Sequence, residues 1–184
     1  MELQGERLIN APLERTWAAL NDPEILKACI AGCESLERTG EDAFQALVAV
    51  KVGPVSARFK GSLKMTDIRP PNAYKINFDG QGGVAGFGKG TADVALVAEG
   101  AAQTRLRYDA KAQVGGKMAQ VGSRLIDAAA GKITDDFFKA FEAKLQEESA
   151  GAVVAAPTPA APDRKLWWIV GGIVLLALVY FLLR

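Results

Sequence analysis

Three groups of residues in this 184-residue chain are of types that could do chemistry: Cys29 with Cys33, the adjacent carboxylates Asp135-Asp136 and Glu147-Glu148, and a glycine run of Gly80, Gly82, Gly83, Gly86, Gly88 and Gly90. The cysteine spacing C-x3-C suits no common zinc knuckle, and with no histidine in the chain nothing completes a four-ligand set. A nucleophilic thiolate would need a cation, for which Lys27 is the candidate, and it would have no imidazole base. Small buried thiols at a turn are the expectation. Adjacent positions on a helix diverge by ~100°, so neither carboxylate pair converges on one substrate. Gly83-x4-Gly88-Lys89 nearly spells a phosphate loop, but Gly90 stands where Ser or Thr is needed. An alternating strand follows it, so no helix N-terminus is there to hold a phosphate. The run then reads as a hairpin with Phe87 at its tip, which is either a lid or partner contact, or a plain glycine turn.

Missing histidine also removes Ser-His and Cys-His dyads and the HExxH zinc site. Twenty-two basic against 21 acidic side chains argue against nucleic acid as a partner. The composition points to a chain that holds something rather than one that reacts.

The elements around these residues follow from periodicity. Residues 3–9 read as a strand, with Leu3, Gly5, Arg7 and Ile9 on one face. Asn10-Ala11-Pro12-Leu13-Glu14 carries helix-start signals, and Leu13, Trp17 and Leu20 recur at helical spacing. Asn21-Asp22-Pro23-Glu24 ends that helix and caps a second one carrying Ile25 and Leu26. Period-two alternation then predicts strand after strand: Val48, Val50 and Val52; Ala57, Phe59, Gly61, Leu63 and Met65; Tyr74, Ile76 and Phe78; Ala92, Val94 and Leu96; Leu106, Tyr108 and Ala110. From Met118 the spacing becomes three or four, through Val121, Leu125, Ala129, Ile133, Phe137, Phe141 and Leu145, which predicts one long helix over 117–148. Gly122 inside it serves either close packing and guest space or mere tolerance.

The fold class is therefore α+β, a curled antiparallel sheet gripping a long C-terminal helix. Ala46, Gly61, Ala92 and Ala110 leave space on its strands, which suggests an apolar internal cavity. Its expected lining is Val50, Phe59, Leu63, Phe78, Phe87, Tyr108, Met118, Val121 and Leu125, with Tyr108 able to hydrogen-bond a guest's carbonyl or simply to pack; the pattern allows each of the nine equally to be ordinary core, since alternation shows which side faces inward and not whether space remains there.

Residues 149–163 are Ala/Pro-rich and are expected to form a semi-stiff linker. Residues 166–183 contain no charge, and 18 residues rise ~27 Å as a helix, close to the hydrocarbon thickness of a bilayer. Trp167, Trp168 and Tyr180 lie near its ends, and Arg164, Lys165 and Arg184 flank it. Residues 164–184 are thus expected to be a single-pass C-terminal transmembrane anchor. Because the first seven residues lack a secretory-signal profile, the domain over 1–148 is expected on the cytoplasmic side of the cell membrane.

Several motifs carry a family resemblance. Ala11-Pro12-x4-Trp17-x2-Leu20-x-Asp22-Pro23 and the long last helix resemble the START-like (SRPBCC, helix-grip) superfamily. Within it, Leu26-Lys27-Ala28-Cys29-Ile30-Ala31-Gly32-Cys33-Glu34-Ser35-Leu36, Gly82-Gly83-Val84-Ala85-Gly86-Phe87, Gly90-Thr91-Ala92-x-Val94-x-Leu96, residues 114–125 and Phe137-Phe138 are similar to the CoxG family of carbon monoxide dehydrogenase subunits. Ala31 departs from that pattern, which would have proline. The resemblance implies a START-like ligand-binding domain over 1–148 that serves a CO dehydrogenase-type molybdenum hydroxylase at the membrane. It also implies no catalytic role and no cofactor of its own, with a lipid-like guest, a respiratory quinone such as menaquinone, as carried ligand. The alternatives are a pure membrane-recruitment adaptor with a filled core, or a START-like cyclase or hydrolase, which would need a convergent acid-base pair.

Overall fold

The computed structural model describes residues 1–154, with side chains through residue 148. Seven strands and three α-helices follow one another as β1 (Glu2–Ile9), α1 (Leu13–Leu20), α2 (Pro23–Cys29), β2 (Cys33–Gly40), β3 (Ala43–Val52), β4 (Val55–Arg69), β5 (Ala73–Gln81), β6 (Phe87–Ala98), β7 (Thr104–Gly115) and α3 (Ser123–Val154). A 3-10 turn at Gly83–Ala85 joins β5 to β6, and a second 3-10 segment, Gly116–Val121, joins β7 to α3. The strands form one antiparallel sheet in the order β1-β7-β6-β5-β4-β3-β2, so the first strand closes against the last. This is the α+β architecture that the alternation predicted.

The helices before the sheet start differently from one another. Asp22 caps α2 as expected, its carboxylate accepting from the backbone N–H of Glu24 at 2.8 Å and of Ile25 at 3.4 Å. For α1 the expected cap, Asn10, is engaged elsewhere, accepting from Gln103 Nε2 at 2.8 Å, and Pro12 occupies the cap position. The turn is secured by two fully buried hydroxyls instead. Thr104 Oγ1 donates to the Ala11 carbonyl at 2.8 Å, and Thr16 Oγ1 donates to the Pro12 carbonyl at 3.1 Å.

The predicted helix over 117–148 breaks at Gly122, whose φ of +93° no β-carbon favours. A side chain there would touch nothing within 4 Å, so backbone conformation explains this glycine, and packing does not. Beyond Glu148, α3 continues to Val154, six residues into the expected linker, through helix-favouring Ala150 and Ala152 and ahead of Pro157. The remainder of the linker, 155–163, and the expected anchor, 164–184, lie outside the described residues. Among the described residues no helix is long and apolar enough to cross a membrane.

Burial divides α3 in two. Phe138, Phe141 and Leu145 are packed into a cluster with Ile9, Ala19, Leu20, Leu96 and Leu106. A second cluster gathers Leu36, Phe44, Ala46, Met65 and Tyr74, with Trp17 bridging the two. Residues 123–136 of the helix contribute no buried residue to either cluster. They stand over the sheet with space beneath them.

Candidate apolar ligand cavity

Two apolar cavities lie along the concave face of the sheet. The larger, about 320 Å³, is lined by side chains of β2 to β7, by Leu20, Leu26 and Ile30 below α1 and α2, and by Phe137 and Phe138 of α3. Its lining contains no carboxylate, amine, guanidinium or thiol; Tyr74 and Tyr108 carry its polar groups. The smaller, about 190 Å³, lies between Val50, Val52, Phe59 and Phe87 of the sheet, Met118, and the α3 residues Ile126, Ala129, Ala130 and Ile133. At 320 Å³ the larger one falls at the lower end of ligand pockets, which run ~300–1,000 Å³.

The floor between them is built from small residues in register. Ala46 pairs with Gly61, Gly61 with Gly80, and Gly80 with Gly88, one cross-strand row running from a wall residue of the larger cavity to one of the smaller. A β-carbon at Gly88 would meet nothing within 4 Å, and those at Gly61 and Gly80 would make ordinary contacts. These glycines leave space that alanine would narrow without collision.

The nine residues expected to line a pocket separate into three groups. Leu63 and Tyr108 line the larger cavity, and Val50, Phe59, Phe87 and Met118 the smaller. Phe78, Val121 and Leu125 line neither. Phe78 is on the concave face, but its ring lies down across Gly90, where a β-carbon would come within 2.8 Å of its Cζ; it borders an open depression beside Lys89 and Lys111 instead. Val121 is half-buried in the 3-10 segment ahead of the break at Gly122. Leu125 is 49% exposed. Steps of four precess by ~40° per step, so the seam back from Phe137 and Ile133 runs through Ala130 and Ala129 to Ile126, one place away from Leu125.

The glycine run is also rearranged relative to expectation. Phe87 is half-buried at the start of β6, and the tip of the turn is Val84, 85% exposed. Nor is the turn loose. Gly86 and Gly116, with φ of +111° and +76°, press backbone against backbone, so that a β-carbon on Gly86 would come within 1.9 Å of the Gly115 carbonyl oxygen. The two 3-10 segments are interlocked by glycines that nothing larger can replace.

Tyr74 is the site residue that sequence reasoning passed over, along with Met65, Ile76, Val94, Phe137 and Phe138. The signal was present, since Tyr74 and Ile76 share the alternation that named Phe78. Burial pushes the Tyr74 phenol well above its usual range, which keeps it protonated. Its ring meets Trp17 edge-on at 5.5 Å, and no residue of the described chain hydrogen-bonds its hydroxyl. The Tyr108 hydroxyl instead lies over Gly5, where a β-carbon would come within 2.3 Å of it, and its ring stacks on Phe138 at 5.6 Å. Arg7, half-buried on the same edge strand, pairs with Asp135 of α3 and sits 5.6 Å above the Phe138 ring, fastening the helix over the sheet.

Cys29 is buried and Cys33 half-buried, both free, and burial pushes each thiol above its usual range. Asp135 and Asp136 face different partners, Arg7 and Lys132. Among the described residues no group of His, Cys, Asp or Glu is placed to hold a metal ion.

The sequence pattern of CoxG, a family of carbon monoxide dehydrogenase subunits, matches residues 5–146, which is most of the chain. The chain belongs to the CoxG family. No curated protein matches. Among solved structures it is similar to a conserved protein from Geobacillus kaustophilus, at 33% identity and a TM-score of 0.75 over 80% of this chain and 96% of that one. A START superfamily protein from Mycobacterium smegmatis shares 15% identity and a TM-score of 0.62 over 79% and 97% of the two chains. The ZhuI aromatase/cyclase from Streptomyces sp. R1128 shares 12% identity and a TM-score of 0.58 over 81% and 95%. The last two show the START-like fold and nothing finer.

Proposed function

We propose that this CoxG-family chain is a non-catalytic accessory protein of a CO dehydrogenase-type molybdenum hydroxylase, carrying an apolar guest for that enzyme at the membrane. The observation that supports it is the larger cavity, walled by carbon, with a protonated Tyr74 whose hydroxyl has no partner among the described residues. A respiratory quinone such as menaquinone fits this chemistry: a flat ring with a carbonyl for Tyr74, and a hydrocarbon tail that water rejects. The ring would occupy the larger cavity and the tail would follow the glycine row into the smaller one. Electrons would travel on the guest. Residues 164–184 would anchor the chain in the bilayer, with the domain on the cytoplasmic side.

The pure adaptor reading requires a filled core, and the space under α3 favours the carrier. A cyclase reading would need an acid and a base converging on the cavity, and the lining offers neither apart from phenols. The test is electron delivery. With localisation kept constant, a Leu63→Trp variant that fills the cavity should abolish transfer of reducing equivalents from the partner enzyme to the quinone pool. Undiminished transfer in a folded, membrane-bound variant would favour the adaptor.

A further inference from the structure

Three turns meet at one end of the sheet. They are the β3–β4 hairpin where Val52 pairs with Val55, the 3-10 turn bracketed by the Gln81–Phe87 pair, and the segment that leaves β7 after Gly115 opposite Phe87. The N-terminus of α3 belongs to the same end, since a β-carbon on Gly53 would lie 3.7 Å from Leu125 Cδ1. The stretches that build it, residues 50–61, 80–90 and 110–126, contain seven Lys or Arg and no Asp or Glu. Of these Arg58 pairs with Glu34 and Lys111 with Glu2, while Lys51, Lys60, Lys89, Lys117 and Arg124 are exposed and carry no ion pair among the described residues. Asp79, Asp109 and Asp127 flank the stretches. The opposite end of the sheet mixes Glu41, Asp42, Asp67 and Glu99 with Arg38, Lys64, Arg69 and Arg105, the last pairing with Glu99. The first end carries an excess of cations, and the opposite end is close to balanced.

The basic end also displays aliphatic side chains. Val84 is 85% exposed at the tip of its turn, held out by buried Ala85 and by the locked pair Gly86 and Gly116. Leu125, also exposed, lies beside Gly53 of the β3–β4 hairpin, and Ile133, 40% exposed, is at the same time a wall of the smaller cavity. The cavity thus reaches the surface under the half of α3 that is not packed into the core.

We propose that this end is a docking face for an anionic lipid surface, placing the mouth of the cavity against the bilayer. Cations around a rigid aliphatic tip match the layering of a bilayer, whose headgroups are charged and whose interior is apolar. The opposite end, close to balanced in charge, offers no comparable attraction, which orients the domain. Docking lets a guest pass between the acyl region and the cavity without crossing water. The inference deepens the carrier reading and takes from it the need for a lipid-side entrance.

Hydrogen–deuterium exchange on the full chain tests it, with phosphatidylcholine vesicles compared with vesicles containing phosphatidylglycerol. Amides of 82–87 and 116–126 should exchange roughly tenfold more slowly in the anionic vesicles. Each cation removed should weaken docking roughly fivefold, so Lys89→Gln, Lys117→Gln and Arg124→Gln together should erase the protection. Unchanged exchange at Leu96, Leu106 and Phe141 would show that this variant is folded. Equal protection in neutral vesicles, protection surviving the triple substitution, or protection that appears only on adding the partner enzyme would each overturn the proposal. If docking fails while an apolar guest is still recovered from the protein, the carrier reading stands alone. If docking protects but no guest is ever recovered, the face stands and the carrier reading falls.

Discussion

Tyr74 and Tyr108 stand in one cross-strand row of the sheet, two strands apart, with only Val94 between them. They are packed differently. Tyr108 lies against Gly5 with its ring stacked on Phe138, and its hydroxyl too makes no hydrogen bond among the described residues. Tyr74 is buried against Trp17 on the wall of the larger cavity with its hydroxyl uncommitted.

Tyr74→Phe separates the two roles. The hydroxyl faces the cavity without a partner among the described residues, so its removal should change the stability of the empty protein by ~1 kcal/mol or less and weaken a carbonyl-bearing guest by about tenfold. Thermal unfolding and a quinone-binding titration read the two effects. Tyr108→Phe should leave guest affinity nearly unchanged, and equal losses from both substitutions would contradict the assignment.

Gly88→Leu fills the open floor between the cavities. Short-chain quinone analogues should bind as before, while binding of long-chain homologues should fall by an order of magnitude or more, since each methylene kept out of the cavity forfeits ~0.8 kcal/mol. An affinity independent of tail length in both proteins would show that the row is not a passage.

The two cysteines should be inert. Burial raises both thiols, so little thiolate exists near neutral pH. Mass spectrometry after brief iodoacetamide treatment of the folded chain should find both unmodified, with modification appearing only on denaturation. Rapid native-state labelling of Cys33 would reopen a reactive role for it.

The edge where β1 closes the sheet should weaken in acid. Arg107 and Arg105 hold the Glu6 carboxyl below its usual range, and Arg105 does the same for Glu99. A carboxylate depressed in the folded state stabilises at pH values above its unfolded pKa, ~4.3, and that contribution is lost as pH falls through the folded values. Amide exchange in β1, corrected for intrinsic rates, should therefore show lower protection below about pH 4. Glu6→Gln should remove part of this dependence, and an unchanged acid profile in that variant would dismiss the network as its source.

The sheet was legible in the sequence because its inner face is written with period two, and strand pairing carries that face directly into three dimensions. The helix was less so. Its apolar stripe looks continuous from Met118 to Leu145, yet Gly122 takes a positive φ and separates Met118 from the helix, and within the helix the seam precesses from Phe137 and Ile133 back to Ile126, leaving Leu125 exposed. Alternation also cannot tell a side chain that borders space from one that fills it. Phe59 and Phe78 share the pattern and each lays its ring across a glycine, Gly82 and Gly90, yet Phe59 walls the smaller cavity and Phe78 lines neither. Where space remains depends on packing across strands, which local sequence does not name.

If the space on the concave face belongs to an apolar guest, that guest should be recoverable. Organic extraction of the protein purified from native membranes in mild detergent, followed by mass spectrometry, tests this most directly. The expected result is a quinone or similar isoprenoid in near-stoichiometric amount, depleted in a Leu63→Trp variant that is folded and equally membrane-bound. A folded wild-type protein that yields no apolar ligand, and takes up none when offered menaquinone, would contradict it.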